Sequence, residues 1–147
     1  MRKLDKLEIM KNKINIGDEA TLNKVFTSED VYHFANISLD NNPIHLDDEY
    51  ASKTIFKARI VQGILVSGLI SAVIANKLPG NGSIYLKQEL NFKIPVFIGD
   101  EITAKILVTK IHQNKPIYTL STICTNQNNE IVIDGEAIIL LNRKKDI

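Results

Sequence analysis

The chain has 147 residues, 44% hydrophobic and 24% charged, with 18 basic against 17 acidic side chains and a formal net charge of +1. That balance leaves no basic footprint for nucleic acid, and no aromatics interleave with basic residues to form a stacking platform for single strands. The length is that of one domain, 1–147, able to bury about two-thirds of its unfolded surface.

The opening MRKLDKLEIMKNK carries basic residues without the apolar core of a signal peptide, and residues before about 14 are expected to be peripheral. Residues 14–27 read as a first strand, with Ile14, Ile16, Leu22, Val25 and Phe26 as apolar positions and Gly17-Asp18 as a turn. Ser28 is the predicted N-cap of a short helix carrying Val31, Phe34 and Ala35. Asp40-Asn41-Asn42-Pro43 stops it, because the residue before proline disfavours helical backbone. A second helical piece is expected over 47–53, where Asp47, Asp48 and Glu49 suit a first turn.

The main helix is predicted over 63–77 and is closed by Leu78-Pro79-Gly80-Asn81-Gly82. Its apolar run, Ile64 to Ala75, is too short to cross a bilayer. Small residues at Gly68, Ser71 and Ala72 would let a sheet approach closely. Beyond it the period changes: 84–92, 101–111, 117–126 and 130–141 are rich in Ile, Val and Thr and are separated by turn residues. The fold class is α+β, one long helix packed on a mostly antiparallel sheet. Cys124 is the only cysteine. It excludes a disulfide scaffold and is compatible with a reducing compartment.

Asp40 and His45 place a carboxylate and an imidazole five residues apart across a proline turn. Histidine is the side chain whose unperturbed pKa lies close to neutrality, so the pair could take a proton from water and deliver one to carbon. The same residues also make an ordinary turn held by side-chain bonds to backbone. His33 and His112 show no ligand spacing with His45, so no metal site is expected; His33 reads as a helix-surface residue and His112 as a loop residue. Gly63, at the start of the main helix, would offer an orphan N–H to a carbonyl oxygen or anion. Ser71 follows two turns later, by default a packing residue.

Four stretches resemble the (R)-specific enoyl-coenzyme A hydratases of the MaoC-like dehydratase family, whose fold is the hotdog. They are FANISLDNNPIHLDDEYA, ARIVQGILVSGLIS, LPGNGSIYLKQELNFKIPVFIGDEITAKILVTKI and KPIYTLSTICTNQNNEIVIDGEAIILL. The resemblance implies that Asp40 and His45 activate the water added to a trans-2-enoyl thioester. It implies that Asn42 holds the motif, that the Gly63 N–H polarises the thioester carbonyl as an oxyanion hole, and that Ser71 orients the site. The family commonly has histidine before the oxyanion glycine, where this chain has Gln62. Glutamine keeps hydrogen-bonding ability without imidazolium charge and is expected to help orient the site.

The resemblance further implies a cytoplasmic homodimer, an acyl-CoA or acyl-carrier-protein thioester as substrate, and no cofactor, since the thioester itself polarises the alkene. Lys53, Lys57, Arg59, Lys87 and Lys93 could meet carrier phosphates or be ordinary surface charges. Ile37, Leu65, Leu69 and Val73 could line a pocket or the core. Two other readings are a hotdog thioesterase, which directs water to the carbonyl and not to C3, and a non-catalytic acyl-CoA-binding subunit, for which loss of the histidine at position 62 would be the sign.

Overall fold

The computed structural model describes residues 13–142, so the expectation for the residues before about 14 falls almost wholly outside them. Five strands form one antiparallel sheet: β1 (Glu19–Val25), β2 (Ser83–Phe92), β3 (Glu101–Ile111), β4 (Ile117–Thr125) and β5 (Ile131–Leu141). Their order is β1-β3-β4-β5-β2, which leaves β1 and β2 as edges. Four helices complete the chain: α1 (Ser28–Ser38), α2 (Pro43–Leu46), α3 (Asp48–Ser52) and α4 (Gly63–Asn76).

Sheet and helix α4 meet through two matched periodicities. In β3 every second residue, Ile102, Ala104, Ile106 and Val108, is buried, as a pleated strand with one covered face requires. Helix α4 buries Val66, Leu69, Ile70, Val73 and Ile74, an i, i+3, i+4, i+7, i+8 stripe. Both sets belong to one hydrophobic core. Gly135 of β5 lies opposite Leu90 of β2, and a Cβ there would collide with the Glu89 carbonyl. Only glycine allows these two strands to approach so closely.

Three expectations are corrected. β1 begins at Glu19, not near 14: Gly17 turns the chain at φ +94°, and the Asp18 N–H bonds back to the Asn15 carbonyl at 3.1 Å. The N-cap of α1 is Thr27, not Ser28. Thr27 is extended and its hydroxyl accepts from the Asp30 N–H, while the Asp30 carboxylate accepts from the Thr27 N–H, a reciprocal capping box. The Ser28 hydroxyl is engaged elsewhere, by Arg59 at 2.8 Å. Third, Gly68 and Ser71 are not packed closely on the sheet but border an open groove beside β2. Both are exposed, and a Cβ on Gly68 would meet nothing within 4 Å.

The Thr27 backbone N–H, and then Lys24, hold the Asp30 carboxyl below its ordinary 3.8, with burial opposing them. A depressed carboxylate stabilises the fold above its unfolded pKa, and that stabilisation is lost as pH falls through the folded value. Asp30→Ala is therefore expected to cost about 1 kcal/mol at pH 7. The gap between variant and wild type should narrow in urea titrations carried out well below pH 3.8. A gap that stays constant with pH would contradict the capping role.

Candidate active site

The segment from α1 to α3 is held by a relay of short polar side chains. Leu39 closes α1 in the left-handed region at φ 66°, its N–H bonding the Ala35 carbonyl. The Asp40 N–H donates to Ser38 Oγ at 3.1 Å, and Asp40 Oδ1 accepts from the Asn42 N–H at 3.1 Å. Asn42 Oδ1 accepts from the Ile44 N–H at 3.3 Å, which caps α2 with Pro43 in its first turn. Asp47 then caps α3 through the Tyr50 N–H at 2.9 Å. Proline begins a helix well because its missing N–H would be an orphan there, so Pro43 both stops α1 and starts α2. Residues 40–43 are thus more than the expected turn, since Pro43 opens α2, the helix that carries His45.

His45 is buried, with Nδ1 2.7 Å from the Ile60 carbonyl oxygen. A carbonyl only accepts, so Nδ1 carries the hydrogen and Nε2 is left with its lone pair. His45 lines a cavity of about 350 Å³ walled by Phe56, Val61, Val66, Phe92, Val96 and Ile133, among others. These walls are largely apolar, and the sequence reading nominated none of them. They come from three separated stretches that only the sheet register and the α4 docking bring together.

Gly63 lines the same cavity. It opens a 14-residue helix with no side-chain cap, so its N–H is one of the orphan donors at the positive end of the helix dipole. A Cβ here would lie 2.6 Å from the Phe92 ring, and glycine is what allows the ring to rest against the helix start. The structure thus brings His45 and Gly63 to one cavity. Asp40 is half-buried on the preceding turn and does not line it; its Oδ2 receives no hydrogen bond from a described residue.

Gln62 is 2% exposed and turned toward α1, where Nε2 donates to the Val31 carbonyl at 3.1 Å. Its Oε1 is buried without a partner. Ser71 lies apart from His45, in a groove of about 470 Å³ between the outer face of α4 (Ile64, Ser67, Gly68) and Tyr85–Gln88 of β2. Leu69 and Val73 belong to the core and the partly buried Leu65 packs against it, whereas Ile37 is 83% exposed. Of the expected phosphate contacts, Lys53 pairs with Glu49 and Lys87 with Glu89. Lys93 lines the cavity beside Asp134. Arg59 is nearly enclosed, with its side chain 10% exposed, and is not a free surface charge. His33 is on the α1 surface beside Glu29, and His112 accepts from the Asn114 N–H just after β3.

An antiparallel sheet packed on one long helix, with a histidine and the first N–H of that helix sharing an apolar cavity, defines a hotdog-fold protein with a site at the helix start. The family described as MaoC like domain matches residues 10–128. The chain is 44% identical over 128 residues to an (R)-specific enoyl-CoA hydratase of Aeromonas caviae, covering 87% of this chain and 96% of that one. It is 40% identical over 134 residues to a mitochondrial 3-hydroxyacyl-[acyl-carrier-protein] dehydratase of Arabidopsis thaliana, covering 89% and 80%. The solved structure of an (R)-hydratase from A. caviae involved in PHA biosynthesis superposes with a TM-score of 0.87 at 44% identity, covering 88% of this chain and 98% of that one. The chain belongs to the MaoC-like domain family.

The His45 tautomer is directly measurable. Nitrogen-15 NMR at a pH where the ring is neutral should show Nδ1 protonated and Nε2 bare; the opposite tautomer would contradict the bond to Ile60.

Proposed function

We propose that this chain catalyses the reversible hydration of a trans-2-enoyl thioester to the (R)-3-hydroxyacyl thioester, carried on coenzyme A or on an acyl carrier protein. The observation that carries this reading is that His45, with Nδ1 bound to the Ile60 carbonyl, and Gly63, the uncapped start of α4, line one apolar cavity. The relatives support the reaction class: one is named a hydratase of enoyl-CoA, another a dehydratase of acyl-carrier-protein thioesters.

In hydration, the oxygen of water bonds to C3 and a proton is added at C2. Asp40 accepts a proton from the attacking water. His45, its ring fixed through Nδ1, holds that water at its lone-pair Nε2, and the proton taken up by Asp40 is relayed through Nε2 to C2. One proton leaves water and one reaches carbon, so the site ends in its starting state. As C3 is attacked, charge builds on the thioester oxygen. The Gly63 N–H stabilises it there, and one such donor is typically worth about 3 kcal/mol at the transition state. Asn42 keeps Asp40 and His45 in register through its bonds on either side. Gln62 orients the start of α4 from behind, through Val31.

Asp40→Asn keeps the Oδ1 bond to the Asn42 N–H and removes the base. Hydration of crotonyl-CoA, followed by loss of the enoyl absorbance, should fall at least about 100-fold, the lower range for a lost general base. Near-normal turnover would sink the assignment.

The working unit we propose is a homodimer. β2 is an open edge whose Ile84, Tyr85 and Leu86 are exposed, and Ile64 on the outer face of α4 is exposed beside it. Uncovered apolar edges invite pairing with another strand, and a two-fold axis would let β2 meet its own copy. Ser71 would then lie at the subunit boundary, where it could orient the site. Leu86 is 52% exposed, so Leu86→Glu should leave the fold intact and give a monomer in sedimentation, where the wild type is a dimer. A monomeric wild type would overturn this. Among the described residues no helix is long and apolar enough to cross a membrane; with Cys124 a buried thiol, a cytoplasmic setting is the one we favour.

A further inference from the structure

We propose that Arg59 is a positioning residue for His45: it locks the histidine-bearing helix α2 to α1 and α3, and so fixes the direction of Nε2. The inference rests on the hydratase reading for its catalytic consequence, and on geometry alone for the rest.

Helix α2 has four residues, too few to hold their own conformation. Like every helix end it leaves its last carbonyls without intrahelical partners. The aim of the His45 ring therefore depends on bonds from outside the helix, and these come from residues 59 and 60. The Ile60 N–H donates to the Ile44 carbonyl at 3.3 Å, and His45 Nδ1–H donates to the Ile60 carbonyl at 2.7 Å. Arg59 Nη1 donates to the His45 carbonyl at 3.3 Å.

The remainder of the guanidinium reaches the neighbouring helices. Nη2 donates to Ser28 Oγ at the start of α1 at 2.8 Å, and Nε donates to Asp48 Oδ1 at the start of α3 at 2.9 Å. The group sits 5.4 Å from the centroid of the Tyr32 ring, and the Tyr32 hydroxyl itself donates to the Leu46 carbonyl at 3.2 Å. One planar fork of donors thus ties three helices to the histidine. A lysine would supply the charge as a point and could not span these directions together. With all three of its nitrogens committed and its side chain largely enclosed, Arg59 has no face left for a carrier phosphate.

The test compares wild type, Arg59→Lys and Arg59→Met with crotonyl-CoA and with crotonyl-pantetheine, which lacks the nucleotide phosphates. A misplacement of about 1 Å at a reacting group costs up to about 100-fold. Arg59→Met should therefore lower kcat about 10- to 100-fold for both substrates with KM nearly unchanged, and Arg59→Lys should recover only part of the loss. Nitrogen-15 NMR should show the single Nδ1–H tautomer of wild-type His45 give way to a mixture in the variants, at temperatures where they remain folded.

Unchanged kcat with a lower Tm would overturn the proposal in favour of a purely structural role. A rise in KM confined to the coenzyme A substrate would overturn it in favour of phosphate binding. If Arg59→Met does not fold, Arg59→Lys decides alone, and wild-type kcat and tautomer in that variant refute the idea. A wild type that hydrates neither substrate refutes the hydratase reading, while the NMR comparison still decides the role of Arg59.

Discussion

The bond from His45 Nδ1–H to the Ile60 carbonyl, 2.7 Å long, is the constraint on which the rest of the site depends. It chooses the tautomer, and the tautomer decides that the nitrogen available for chemistry is Nε2, an acceptor. It also stitches a four-residue helix, which has little stability of its own, to the segment leading into α4. Since that segment ends at Gly63, the same stitch relates His45 to the start of α4, and both residues line one cavity. Val61, between the two, is itself pinned through its N–H to the Val96 carbonyl at 2.7 Å. The site is therefore built on a short stretch of chain bonded on both sides.

Helix α4 serves the two purposes of the fold with different faces. Its branched and aliphatic stripe anchors it in the core, and this anchoring gives its N-terminus a fixed position. Its other face carries Ile64, Ser67, Gly68 and Ser71, which border an open groove beside β2. The opposite edge of the sheet is partly covered already, because Lys77 donates to the Thr21 carbonyl of β1 at 2.7 Å. The asymmetry between the two edges is the reason β2 is the side we propose for the dimer.

Much of this was legible in the residues. Strand β3 and the start of α4 fall where their apolar periods place them, and the proline after Asn42 marks the break that precedes the histidine. What failed to show was of two kinds. Local competition was one: Ser28 looked like a cap, but Thr27 and Asp30 form the box while the Ser28 hydroxyl answers to Arg59, 31 residues away. Long-range assembly was the other. No local pattern could tell that Phe56, Phe92 and Ile133 would meet around His45, or that the arginine at 59 would turn inward among three helices. The small residues of α4 did not bring the sheet close: Gly68 and Ser71 are exposed and border an open groove beside β2.

In the proposed reaction water is directed to C3 of an enoyl thioester and not to its carbonyl. Chiral analysis of the product formed from crotonyl-CoA by the wild-type protein tests this most directly. The expected product is (R)-3-hydroxybutyryl-CoA with the thioester intact. Release of free thiol with no hydroxyl at C3, or formation of the (S) product, would contradict it.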